Sequence, residues 1–251
     1  MPVLGVIPAR LGSTRLARKP LQLLAGVPLI VRVWDRVRAV AAFDEVVVAT
    51  DSPEIQAVVA HAGGRVVLTS ERHESGTERV AEVARQAGFG RFDLIVNVQG
   101  DEPFLPIAAV EGAVARVTGG DDIGTAAVPL APSEADDPSR VKVVMDDQGR
   151  ALYFSRARIP YPADRRAPSA ECRAYWQHLG LYAYTRETLA RWVGSPPADL
   201  ERLERLEQLR ALAVGMTIGV ARLSEPALPG IDTPDDLARA ERYWTATATG
   251  V

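Results

Sequence analysis

The chain has 251 residues, 47% of them hydrophobic and 24% charged, with a net charge of -3. That size allows a sizeable core in one large domain or two small ones, and the acidic balance argues against a general nucleic-acid or membrane binder while leaving room for a local basic site. The single Cys172 excludes an intramolecular disulfide and a multi-cysteine zinc cage and favours a reducing, cytoplasmic setting; no apolar run approaches a membrane span, and Pro2 and Gly5 stand where a signal peptide needs a basic start and a long apolar run.

Taken in chain order, apolar β-branched runs predict strands over 3–7, 45–49, 65–69 and 93–98. Between them lie helical spacings: Ile30, Val33, Trp34 and Val37; Ile55, Val58 and Val59; Val80, Val83, Ala84 and Ala87. Alternation of this kind predicts a three-layer α/β fold with a mostly parallel sheet and helices on both faces. Ser52-Pro53 supplies a cap followed by an N1 proline, and Ser75-Gly-Thr-Glu78 and Thr233-Pro234-Asp235-Asp236 mark two further helix starts. Beyond residue 120 the spacing predicts strands over 123–130, 140–146, 151–155 and 177–184, a Pro- and Arg-rich loop before the last of these, and helices over 199–213 and 234–245.

In a parallel α/β sheet, ligands bind beyond the carboxyl ends of the strands, so the loops beginning at Ala9, Thr50, Ser70 and Gln99 are the ones that matter. The first carries Arg10, Arg15, Arg18 and Lys19 with no acid before Asp35. Gly12 there can bring backbone amides close to a ligand, with Ser13 and Thr14 as hydroxyl donors, which suits a polyphosphate although the Walker spacing is absent. The alternative is a solvated basic loop. Against it stands the lysine usage, since only Lys19 and Lys142 among 29 basic residues are Lys, and a compact point charge is not interchangeable with a planar fork.

At the fourth strand's end, "NVQGDEP" over 97–103 sets Asp101 and Glu102 after a turn-permitting glycine. A carboxylate there is the hard ligand Mg²⁺ takes alongside phosphate oxygens and water, or simply part of an acidic turn. In "HESGTERVAEV", 73–83, a helix N-terminus can face an anion, or Ser75 and Glu78 can cap each other; His73 reads as a surface histidine, and Arg79 fits either reading. His178 and Tyr182 share a strand face, as ligand contacts or as a buried hydrogen-bonded pair, and His61 reads as a helix-end residue.

The ordered set "IPARLGSTRLARKPL", "VVVATD", "ESGTERVAEV", "VNVQGDEP", "VKVVMDDQGRALYFSRARIPY", "HLGLYAY", "LERLEQLR" and "GIDTPDDL" resembles the 3-deoxy-manno-octulosonate cytidylyltransferases, or CMP-Kdo synthetases, from about Val3 to Leu237. The resemblance implies a Rossmann-like nucleotide-sugar transferase fold and a Mg²⁺-dependent reaction of CTP with the sugar acid, giving the CMP-sugar and pyrophosphate for lipopolysaccharide biosynthesis. It implies that Arg10, Ser13 and Lys19 bind the triphosphate, that Ser75, Gly76 and Gln99 hold the cytidine, and that Asp101 and Asp232 ligate Mg²⁺, with Arg10, Lys19 and Asp101 catalytic. Arg15, Gln99, Arg156, His178, Tyr182, Glu207 and Gln208 surround the sugar acid on the same ground, with Arg79 beside them. No general base announces itself, so the expectation is that the metal lowers the pKa of the attacking hydroxyl.

The resemblance also implies one domain over 1–251, with 131–200 as a sugar-acid-binding and dimerisation subregion, and a homodimer whose interface includes residues around 150–180. Ala17-Arg18 departs from the Pro-Gly common in the family. Two other readings stand beside the main one: transfer to a sialic-acid type sugar, against which "HLGLYAY" with "LEQLR" speaks, and a non-catalytic nucleotide-binding protein, against which the retained Arg10, Lys19 and Asp101 speak.

Overall fold

The computed structural model describes residues 1–13, 15–163 and 174–248. Thr14, Cys172 and the 164–173 part of the expected interface stretch lie outside the described residues. Contacts divide the chain into two compact units, Met1–Leu105 with Leu228–Val251, and Pro106–Ala227.

In the first unit, β1 (Val3–Ala9) is followed by a hairpin of β2 (Leu23–Leu24) and β3 (Val27–Pro28). The hairpin turns through Ala25 at φ 50° and Gly26 at φ 75°, two left-handed residues whose twist suits a two-residue connection. Next come α1 (Leu29–Arg38), β4 (Glu45–Thr50), α2 (Pro53–His61), β5 (Arg65–Leu68), α3 (Gly76–Arg85) and β6 (Leu94–Asn97). The strands run in the order β6-β1-β4-β5, all parallel. Leu4, Val6 and Ile7 of β1 are fully buried, each contributing about 1.5–3 kcal/mol of hydrophobic stabilisation. Because the strands are parallel, all four end on one edge, and the loops after β1, β4, β5 and β6 start there. Ser52 caps α2 as the sequence predicts, its Oγ accepting from the Ile55 amide at 3.3 Å. The unit closes with helix Pro234–Ala248.

The second unit comprises α4 (Ile107–Thr118), β7 (Ile123–Pro129), β8 (Lys142–Met145), β9 (Ala151–Ser155), β10 (Trp176–Thr185), α5 (Arg186–Gly194), α6 (Asp199–Glu204), α7 (Gln208–Ala213) and β11 (Ile218–Arg222). Here the pairing is mixed: β7 lies between parallel β11 and antiparallel β10, and β8 pairs antiparallel with both β10 and β9. The fold is therefore mixed α/β with mostly parallel pairing in its first half.

The single helix predicted over 199–213 is corrected: α6 and α7 are separate, and Arg205 between them is left-handed at φ 53°. Arg156 explains the break. Its guanidinium donates to the Glu204 carbonyl at 2.9 Å and the Arg205 carbonyl at 3.4 Å, so tertiary hydrogen bonds take carbonyls that a continuous helix would use. Among the described residues no helix is long and apolar enough to cross a membrane.

Candidate functional site

The basic loop after β1 is neutralised in space by acids far away in sequence. Lys19 Nζ donates to Asp101 Oδ2 at 2.5 Å and to Asp232 Oδ1 at 2.9 Å. Arg15 pairs with the other oxygen of Asp232 at 3.0 Å, and Arg18 pairs with Glu54. Arg10 remains exposed, its Nη1 donating to the Glu74 carbonyl at 3.4 Å. Lys19 has a side chain only 16% exposed. Burial alone would push its ammonium pKa down, but Asp101 and Asp232 more than reverse this and hold it above the ordinary lysine value.

Backbone geometry fixes the two acids. The Ile231 amide donates to the Asp101 carbonyl at 2.9 Å, joining the loop after β6 to the turn that carries Asp232. That turn is locked by Asp236, whose Oδ2 accepts from the Asp232 amide at 3.1 Å, the Thr233 amide at 2.9 Å and the Thr233 hydroxyl at 2.8 Å. Thr233 Oγ1 in turn accepts from the Asp236 amide at 3.2 Å, completing a reciprocal cap. Gly100 allows the loop its path, since a Cβ there would lie 2.9 Å from the Pro8 carbonyl oxygen.

Glu102 lies against this cluster. Burial, and then the charges of Asp101 and Asp232, raise its carboxyl to about 8. Negative charge here thus exceeds what Lys19 neutralises. Among the described residues no three or more Asp, Glu, His or Cys side chains are grouped to hold a metal ion. A Mg²⁺ that takes most of its positions from phosphate oxygens and water needs only one or two carboxylates. The convergent pair Asp101 and Asp232 therefore fits that ion, with Glu102 beside them as a mostly protonated carboxyl.

At the head of α3, Ser75 Oγ accepts from the Glu78 amide at 3.2 Å. The Glu78 side chain accepts from the Glu74 amide at 2.9 Å, one residue upstream of the cap expected for it. Gly76 opens the helix with a would-be Cβ 3.2 Å from the Pro8 ring, so α3 starts close against the end of β1. Ser13 Oγ accepts from the Leu16 amide at 3.4 Å. Among the described residues a Cβ at Gly12 would meet nothing within 4 Å and Gly12 does not adopt a positive φ, whereas Arg18 is left-handed at φ 52°. Gln99 occupies the turn between β6 and Asp101.

His73 is half-enclosed and bonded to Glu82 rather than lying free on the surface. Arg79, 2% exposed, is committed to Asp51 at 2.8 Å and Thr69 at 2.5 Å. Asn97, 1% exposed at the end of β6, has no hydrogen-bond partner for its side-chain amide among the described residues.

The second unit carries the other residues expected around the sugar acid. His178 and Tyr182 are buried with ring centroids 5.5 Å apart, and Phe154 and Trp192 stack edge-on against them. Thr125 Oγ1 lies 3.0 Å from His178 Nε2 and donates to the Leu181 carbonyl at 2.7 Å, so it accepts from a protonated Nε2. Burial drives the imidazole pKa down to about 3 and pushes the Tyr182 hydroxyl up. Glu207 stands at the N-cap of α7, followed by buried Gln208.

Arg156 spends its guanidinium on the carbonyls of Pro138, Glu204 and Arg205. Asn97 and Thr125 carry no role in the sequence and no readable signal for one, whereas Glu102 stands out there as the second carboxylate of the 97–103 turn and Asp236 by the Thr-x-x-Asp spacing of a cap.

A family model described as "Cytidylyltransferase" matches residues 4–218. A 3-deoxy-manno-octulosonate cytidylyltransferase of Gemmatimonas aurantiaca is 54% identical over 245 residues, covering 97% of this chain and 95% of the relative. One from Yersinia pseudotuberculosis is 48% identical, covering 95% of this chain and 97% of the relative. A solved CMP:2-keto-3-deoxy-manno-octonic acid synthetase complexed with CTP superposes with a TM-score of 0.89 at 38% identity, covering 98% of this chain and all of the other.

Proposed function

The chain belongs to the cytidylyltransferase family, and from that premise we propose that it joins CTP to 3-deoxy-manno-octulosonate, giving the CMP-sugar acid and pyrophosphate. The observation that carries the reading is the Lys19 ammonium held between Asp101 and Asp232 beside the ends of parallel strands. That is where a polyanionic nucleotide is gripped in such sheets.

In the reaction the anomeric hydroxyl of the sugar acid attacks the α-phosphorus of CTP in line. A new P–O bond forms to the sugar, the α–β bridging bond breaks, pyrophosphate leaves, and the hydroxyl proton is lost. Negative charge shifts towards the departing pyrophosphate. Lys19, with Arg10 and Ser13, binds the triphosphate and stabilises that shift, while Ser75, Gly76 and Gln99 orient the cytidine. Mg²⁺ held by Asp101 and Asp232 would supply further positive charge at the phosphates and lower the pKa of the attacking hydroxyl. Asp236 keeps the Asp232 turn in place, and Lys19 holds the two acids together.

Roles towards the sugar acid go, on the family resemblance, to Arg15, Gln99, Arg156, His178, Tyr182, Glu207 and Gln208. A neutral, buried His178 acts as a hydrogen-bonding group rather than a charged acid. The single cysteine supports a cytoplasmic setting for lipopolysaccharide biosynthesis, and the resemblance supports a homodimer, which light scattering checks against a monomeric mass.

Pyrophosphate release with CTP and Mg²⁺, run in parallel with the octulosonate and with a sialic-acid type sugar, tests the reading. Turnover with the octulosonate and little with the other acid is expected. The reverse preference would overturn it.

A further inference from the structure

Lys142 is the second of the chain's two lysines, and it takes no part in the reaction described above. It is fully buried at 0% exposure. Its ammonium donates to three backbone carbonyls, Asp137 at 2.8 Å, Arg140 at 2.6 Å and Arg156 at 2.6 Å. An ammonium has three N–H groups, and here carbonyls rather than carboxylates take all three. A charge buried this way needs each of those bonds, because its desolvation is otherwise uncompensated. Burial pushes its pKa below the ordinary lysine value, with Asp137 and Asp136 pulling the other way.

The three carbonyls belong to segments that surround residues assigned to the sugar acid. Arg140 donates to the Gln177 side chain at 2.6 Å, and the Val141 carbonyl accepts from the His178 amide at 2.8 Å. Arg156 follows the end of β9, and its own amide and the Ser155 hydroxyl are anchored on the Glu204 carboxylate at 3.0 and 2.6 Å. The Arg156 guanidinium closes the ring on the carbonyls of Pro138, Glu204 and Arg205. One ammonium thus ties the 137–140 turn, the head of β8 and the end of β9 to a single point.

We propose that Lys142 is a positioning residue for sugar-acid recognition, fixing His178 and Arg156 relative to each other through the Asp137, Arg140 and Arg156 carbonyls. The proposal rests on the assignment of His178 and Arg156 to the sugar acid. Arginine cannot replace it. A planar fork cannot point three donors into a pyramid of carbonyls around one nitrogen, so restoring the charge alone does not restore the geometry.

The test is steady-state pyrophosphate release by wild type, Lys142→Met and Lys142→Arg, with KM measured separately for 3-deoxy-manno-octulosonate and CTP. CTP binding by calorimetry and a thermal melt accompany each variant. The expected result is a sugar-acid KM raised by about tenfold or more in both variants, with CTP binding within about twofold of wild type and a cooperative melt. Equal weakening towards both substrates, an unchanged sugar-acid KM, or full rescue by arginine would overturn the proposal. If both variants fail to fold, Glu204→Gln loosens the same segment from outside the buried cage; a selective rise in sugar-acid KM supports the proposal and none overturns it. A wild type inactive with the octulosonate would instead defeat the functional reading.

Discussion

Arg18 sits in the left-handed region at φ 52°, where glycine is the unstrained residue, and its guanidinium is spent on Glu54 at the surface. That accounts for a sequence position where the family commonly has glycine: the backbone conformation is kept and an exposed ion pair accompanies the strain. Arg18→Gly relieves the strain and loses the pair, so it should leave Tm and turnover at wild-type level. A large loss of turnover would show that Arg18 itself serves the phosphate. His178 makes a sharper prediction. Its folded pKa of about 3 lies below the unfolded value near 6.5. Between those values the unfolded chain binds a proton that the folded one does not, so stability rises with pH there and is lost as pH falls below 6.5. The expected slope is about 1.4 kcal/mol per pH unit in the middle of that window. Urea unfolding of wild type and His178→Gln at pH 5.5 and 7 checks it, since the variant should lose that part of the slope.

At the scale of elements, caps and chain breaks decide where the site residues stand. Ser75→Ala removes the acceptor for the Glu78 amide, an effect of about 1 kcal/mol on stability, and it should weaken CTP binding because the head of α3 frays. Calorimetry with CTP reads the second effect; unchanged affinity would detach Ser75 from the nucleotide. Arg205→Gly should stabilise the break between α6 and α7, raising Tm by about 2–4 °C as a left-handed Cβ is removed. Strands β1 and β4 to β10 and the helix starts at Ser52, Ser75 and Thr233 were legible because alternation and cap spacing are local signals. Helix α4 was not, because its buried face is built from Ala109, Val110, Ala113 and Val117, and alanine gives little contrast. Strand β11 is short and carries Gly219, whose Cβ would collide with Asp121 and Arg116, a tertiary constraint invisible to periodicity. The break at Arg205 is likewise set by Arg156, far away in sequence.

Across the whole molecule, the family was legible from the order of its motifs, while the electrostatics of the site were not. Four cations without a nearby acid read as a phosphate loop, yet in the fold Lys19 and Arg15 meet Asp101 and Asp232, and Arg18 meets Glu54. These ion pairs join residues as far apart as Arg15 and Asp232, 217 positions in sequence, a separation no local pattern encodes. Glu102, a turn residue in sequence, has its carboxyl raised to about 8 first by burial, then by the neighbouring Asp101 and by Asp232, which only the fold brings close. The central claim is that Asp101 serves catalysis and not merely the stability of this cluster. Turnover of Asp101→Asn at saturating CTP, octulosonate and Mg²⁺ tests it most directly. A fall of about 100-fold to 1000-fold with a folded, CTP-binding protein is predicted, and wild-type turnover would contradict it.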